Sequence, residues 1–310
     1  MTAITSAQRR RHNGPAWEEA SGPVAQAAKG LTLTVVVAVI IIPLYIIVLT
    51  SFSTQAAINE AGGLVTVPHG LTLEAYRQIF TNQLVTHSLL VSLAITAVGT
   101  VLSMLVSVLC AYGLSRHGSF AHRPILLFLV VTMFFSSGLI PTFLVVTGLG
   151  GYGQYWTMVL PGAVSVFNIL VLRAFFSSTA PELIDAARMD GAGEWRILWS
   201  VVVPTSRAVL AVITLFYAVG YWNSFFNALL YLPDNGMWPL QMVLYTYTLQ
   251  GGAMPGMGTT GTGQYAGHQQ IAQLSLQMAV VTLTLIPIVV AYPFVQRHFT
   301  KGMLTGAIKG

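Results

Sequence analysis

Charge is what this sequence has least of. Asp, Glu, Lys and Arg make up 7% of its 310 residues, against roughly 25% in soluble domains. A water-soluble surface cannot be assembled from so few charges. The shortage is concentrated, with no charged residue at positions 78–115, 124–172 or 235–296, and runs of that length point to lipid as the surrounding medium. Cysteine is almost absent too. Cys110 alone allows no intramolecular disulfide and leaves the redox compartment undefined. There is no G-x-x-x-x-G-K-[ST] loop, so the chain is not expected to hydrolyse ATP itself. There is no H-E-x-x-H motif and no nucleophile with a base, as an intramembrane enzyme would need. His117 and His122 stand beside Arg116 and Arg123 without further ligands and read as a solvated basic loop. The net charge of +5 is not gathered into a basic patch with interleaved aromatics, which excludes a nucleic-acid surface.

What the sequence does have is apolar length: 55% of it is hydrophobic and the mean hydropathy is +0.71. A helix rises ~1.5 Å per residue, so about 20 apolar residues cross a ~30 Å hydrocarbon core. Six segments meet that test: 31–52, 85–114, 124–146, 155–175, 208–232 and 275–295. The fold class is therefore an all-α integral membrane protein with about six transmembrane helices. The first run is longer than the ~7 to 15 residues of a signal core, so it reads as a retained anchor. Residues 1–30 form an expected cytoplasmic tail, and 31–310 one transmembrane domain. With the N-terminus inside, Arg116, Arg123, the basic residues from Arg173 to Arg207, and Arg297, Lys301 and Lys309 all fall in the cytoplasm. Arg77 alone falls outside, and the positive-inside rule selects this orientation with both termini cytoplasmic. The external segment 233–274, whose middle reads GGAMPGMGTTGTG, reads as a flexible loop.

One cytoplasmic segment carries a mechanism. Residues 179–204 read TAPELIDAARMDGAGEWRILWSVVVP and hold four of the nine acidic residues. Thr179 and Glu182 have capping-box spacing, and Pro181 suits a first helical turn. A helix begun there ends near Asp190, because Gly191 offers a turn, so it is too short to span and must lie at the surface. Leu183, Ala186, Ala187 and Met189 supply small and apolar contacts. Glu182, Asp185, Arg188 and Asp190 supply charges for a partner. Trp195, Leu198 and Trp199 lead back to the membrane, where Pro204 can open the fifth span.

Asp185, Ala186 and Ala187, Gly191 after three more residues, and the Val-rich run to Pro204 resemble the "EAA" signature of binding-protein-dependent ABC importer permeases. The chain departs from it in Asp185 for Glu, and in Val201 and Val203 for the usual Ile and Leu. LPGAVSVFNILVLRAFF before the signature, YWNSFFNALLYL after it and the closing YPFVQRHFTKGMLTGAIKG are similar to the maltose-type second permease subunit, in the branch that takes up complex oligosaccharides such as alginate fragments. The resemblance implies a type I importer (MetI-like) permease fold in a bacterial cytoplasmic membrane, surrounded by lipid. It also implies a heterodimer with a second permease subunit, two ATPase subunits that carry ATP and Mg, and an extracytoplasmic sugar-binding protein. The oligosaccharide would cross by alternating access, with no cofactor in this chain. Coupling to the ATPase would fall to Glu182, Asp185, Ala186, Ala187, Asp190, Gly191 and Pro204, and the external segment 233–274 is expected to meet the binding protein.

For the substrate path, helical spacing stacks Gly220, Asn223 and Asn227 along one stripe of the fifth span. Amides are costly in lipid and must face a helix or a wet path, and Asn168 could join them. Together with Tyr217, Tyr221 and Trp222 these groups suit a neutral saccharide, with rings covering C–H faces and amides bonding hydroxyls. The equal alternative is that the amides hold helices together and the aromatics pack. The rival functions are a secondary transporter, disfavoured by spans almost free of ionisable groups, and an ABC permease for another solute class such as peptides. For topology the expectation is direct. In a Cys110-free background, single cysteines engineered near residues 10 and 305 should be shielded from an impermeant thiol reagent added outside, and labelling at both would reverse the orientation.

Overall fold

The computed structural model describes residues 23–81, 83–116, 121–135, 137–178, 181–249 and 273–307. Among them helix is the only extended secondary structure, joined by turns and loops, with one isolated bridge between Ser53 and Leu71. Three helices are long and apolar enough to cross a bilayer unbroken: α1 (Pro23–Ser51), α4 (Gln83–Ser115) and α14 (Gln273–Ala307). Between α1 and α4 lie two short helices, α2 (Gln55–Glu60) and α3 (Glu74–Thr81). The anchor is longer than expected, since α1 already begins at Pro23, inside what the composition marks as tail.

The other three expected spans are not single rods. The third is α5 (His122–Phe134) followed by α6 (Leu139–Gly148), bent by 115°. Gly138 precedes α6 with φ +81°, a conformation that favours glycine. The fourth opens as two 3-10 turns, Tyr155–Met158 and Leu160–Gly162, before α7 (Val166–Ser178), at 49°. The fifth divides into α11 (Arg207–Trp222) and α12 (Phe225–Tyr231). Here Asn223 and Ser224 take over the backbone bonding: the Ser224 hydroxyl donates to the Tyr221 carbonyl at 2.6 Å and Phe225 N–H to the Asn223 carbonyl at 2.8 Å. Residues of this kind compete with helical bonding from their own side chains. Up to six spans are reached when each bent pair counts as one, the third pair being Glu194–Thr205 with α11. The segment read as a flexible loop also contains structure, a 3-10 turn at Asn235–Met237 and helix α13 (Leu240–Leu249), while 251–263 lies outside the described residues.

Helix α4 is the hub. It packs against α7 and α11, and α1 packs against α14. Ser103 and Ser107 of α4 meet Tyr221 and Tyr217 of α11, each hydroxyl pair at 2.7 Å. A spacing of four on both antiparallel helices puts the two pairs on one seam. The Tyr221 hydroxyl also donates to the Val159 carbonyl at 3.1 Å. Having a single proton, it accepts the bond from Ser103. The seam closes because α4 presents Gly99 to the Tyr221 ring, where an added Cβ would stand 2.8 Å from ring carbons. Small residues that bring backbones together are the ordinary means of packing helices in lipid. At the start of α4, Ser92 accepts from Leu240 N–H at 2.8 Å, so α13 sits at that end. Outward-facing Leu90, Val98, Leu127, Phe134 and Val289 are exposed to the surrounding medium.

Gly99→Val should therefore unseat Tyr221 and lower the thermal midpoint in detergent, at an overpacking cost of about 1–3 kcal/mol. Gly113→Ala on the same helix, where no atom lies within 4 Å, should not lower the midpoint, since alanine is the better helix former.

Candidate functional site

At the far end of α4 stands α8 (Pro181–Met189). It turns one side inward, with Ile184 buried and Ala187 half-buried, while Leu183, Asp185, Ala186, Met189 and Asp190 are exposed. Met189 is 89% exposed, unusual for so apolar a side chain unless something covers it. The helix ends in a Schellman cap. Ala192 N–H reaches the Ala187 carbonyl at 2.9 Å and Gly191 N–H reaches the Arg188 carbonyl at 2.9 Å, with Gly191 at φ +76°. That reversal needs a left-handed residue at this position. Ala187 and Ala192, the pair that accompanies such a cap, both pack against the main apolar cluster.

Beyond the cap, Gly193 leads into α9 (Glu194–Ile197), a π-helical turn (Leu198–Val202) and α10 (Val203–Thr205). Pro204 has no N–H for the carbonyl one turn back, and its ring crowds that turn, which accounts for the wide winding just ahead of it. The stretch Glu194–Thr205 then meets α11 at 86°. Pro204 thus lies just ahead of the bend, in the first arm of the broken fifth span, and α11 begins after the bend at Arg207.

The connection is tied to α4 through one carboxylate. Glu194 Oε2 accepts the Tyr112 hydroxyl and lies 3.3 Å from an Arg116 nitrogen, and Oε1 accepts from Arg188 at 3.0 Å. Arg116 also donates to the Tyr112 hydroxyl at 2.7 Å, with its guanidinium 4.8 Å from the Tyr112 ring centre. From α7, Arg173 Nε donates to the Leu114 carbonyl at 2.9 Å, filling one of the acceptors left open at a helix C-terminus. The Tyr112 hydroxyl holds the Glu194 carboxyl below the usual glutamate range. Partial desolvation pushes the other way, and Arg188 and Arg116 add to the lowering.

Of the expected coupling residues, Glu182, Asp185, Ala186, Ala187, Asp190 and Gly191 all fall on α8 and its cap, and Thr179 lies outside the described residues. Arg188 is turned back toward Glu194 and, at 3.9 Å, Asp185, instead of being left for a partner. The expected path residues do not share one wall. Tyr217 and Tyr221 belong to the α4–α11 seam. Trp222 is buried, donating to the Thr284 carbonyl at 3.0 Å, and Asn168 is buried in α7. Asn223 is exposed and accepts from Gln241 at 3.3 Å. Asn227 lies beyond the break in α12, so the continuous Gly220–Asn223–Asn227 stripe does not form. Glu194, Tyr112, Arg116 and Arg173 were not singled out by the sequence as a group. Glu194 alone carried a signal, as an acid in a charge-poor chain.

Long helices with apolar exteriors, broken spans behind them and one capped short helix left uncovered define a membrane transport subunit of the permease kind. The family described as "Binding-protein-dependent transport system inner membrane component" matches residues 99–305, and the chain belongs to it. Among curated relatives it is 39% identical to the polygalacturonan/rhamnogalacturonan transport system permease protein YtcP of Bacillus subtilis (strain 168), over 87% of this chain and 93% of that one. It is 37% identical to Protein LplC of the same organism, over 94% and 96%. Among solved structures, a bacterial ABC transporter involved in the import of the acidic polysaccharide alginate contains a chain that superposes with TM-score 0.82 at 27% identity, covering 92% of this chain and all of that one. The protein is a permease subunit of the ABC importer class.

The lowered Glu194 pKa fixes the sign of a pH effect. A depressed folded value means that the carboxylate's contribution is present above the ordinary glutamate value and is lost as pH falls through the depressed one. Thermal midpoints of the wild type should exceed those of Glu194→Gln near neutral pH, and the gap should close as the pH falls below the ordinary glutamate range.

Proposed function

We propose that this chain is one of two permease subunits in an importer that carries oligosaccharides across the cytoplasmic membrane, with both termini inside. An extracytoplasmic binding protein delivers the sugar, and separate ATPase subunits, which bind ATP with Mg, drive alternating access. The cargoes named for YtcP and for the alginate importer support a saccharide, specifically a fragment of a polysaccharide. The observation that carries the mechanical reading is α8 itself. It is a short helix closed by a glycine cap, held to the bundle on one side, with Leu183, Asp185, Ala186 and Met189 uncovered on the other. In this reading that uncovered side docks on an ATPase subunit, and α8 moves when the ATPase closes on ATP. For the saccharide, the exposed Asn223 at the break between α11 and α12 and the neighbouring Asn227 are the proposed contacts. Asn168, Tyr217, Tyr221 and Trp222 set the shape of the helices behind them.

Gly191→Leu should uncap α8, since a side chain at φ +76° is strained by about 1–3 kcal/mol. Asp185→Lys reverses a charge on the docking side. Both variants should insert normally yet lose ATPase copurification and sugar uptake, normalised to inserted permease. Full ATPase binding and full uptake in both would refute the docking role. Mass spectrometry of the sugar held by the cognate binding protein tests the cargo, and a peptide found there would replace the saccharide reading.

A further inference from the structure

Among the described residues, α8 is held to the bundle by Ile184, Ala187 and the cap residue Ala192 in the apolar cluster and by Arg188, which reaches Glu194 at 3.0 Å. Between them lies the turn Gly191–Gly193, two glycines about one alanine, where a push on α8 would be absorbed by backbone rotation. Glu194 bypasses that turn. One carboxylate oxygen takes Arg188 from α8, and the other takes Tyr112 from the last turn of α4 and Arg116 just past its end. Arg116 steadies Tyr112 by a 2.7 Å bond and by lying over its ring, and α7 holds the neighbouring Leu114 carbonyl through Arg173. The α4 end of the link is therefore fixed. From there α4 runs to Ser107 and Ser103, whose partners Tyr217 and Tyr221 are on α11.

We propose that Glu194 is a positioning residue for energy coupling: its carboxylate joins α8 to the end of α4, so that displacement of α8 is delivered to the long span and not lost in the glycine turn. The proposal rests on the assignment of α8 as the ATPase contact. The Arg188 and Glu194 side chains are 47% and 55% exposed, and ion pairs so open to water contribute little to folding.

The test uses the complete importer, reconstituted in proteoliposomes with its binding protein and ATPase subunits, and reads sugar imported per ATP hydrolysed. Arg188→Met and Glu194→Ala should insert and retain the ATPase subunits, while sugar per ATP falls at least about fivefold. The double variant should be no worse than either single one, as for two members of one link. Arg188→Lys, which keeps a cation within reach, should recover part of the ratio, which loss of packing alone would not allow. Since Arg188 is exposed, its variant carries the test even if Glu194→Ala inserts poorly. An unchanged ratio in Arg188→Met would overturn the proposal, and so would loss of the ATPase subunits from that variant, because Arg188 would then be a docking contact. The docking assignment fails separately, if Gly191→Leu and Asp185→Lys keep both ATPase binding and uptake.

Discussion

A hydroxyl or amide in hydrocarbon has no water to bond with, and this constraint organises the bundle around α4. Three hydroxyls of α4 are paired with the next element, Ser103 with Tyr221, Ser107 with Tyr217 and Ser92 with the Leu240 backbone, while those of Ser88, Thr96 and Thr100 are buried without a partner. Each bond needs close approach, which Gly99 permits under the Tyr221 ring. Tyrosines that suggest sugar binding when read on α11 alone are thereby committed to holding α11 against α4. At the other end of α4, Tyr112 does for the connecting segment what Ser103 and Ser107 do for the span.

Hydropathy made part of this fold legible. The long helices α1, α4 and α14 follow from apolar runs without charge, and the all-helical membrane class follows from composition. The family followed from the spacing of Asp185, Gly191 and Pro204 with the wider match around them, and the family match over 99–305 bears it out. Hydropathy does not register direction, however. A run of apolar residues reads the same whether straight or bent, so the breaks at Gly138 and at Asn223–Ser224 did not emerge from it. Helix α13 was hidden by the glycines that come after it, which dominated the reading of the whole segment.

The site divides in the same way. Gly191 was legible because a cap is local: the residues that define it lie within a few positions, and its positive φ is what the spacing asks for. Glu194 was not legible. Its partners Tyr112 and Arg116 are 82 and 78 positions away, and no local pattern brings them together. The aromatic and amide candidates of the fifth span fall between these cases, since helical spacing held through α11 and was lost at the break.

The π-helical turn at Leu198–Val202 bears on the interval from Asp185 to Pro204. A π turn closes its bonds one residue later than an α turn, so it takes up one residue that a regular helix would have placed elsewhere. Each residue added or removed rotates the downstream helix by about 100°. A chain one residue shorter in this stretch would reach the bend at Ser206 facing another way, and α11 would leave in a direction from which Tyr217 and Tyr221 could not reach their serines. The interval is in this sense a compass bearing, aiming a long helix from the short helix α8.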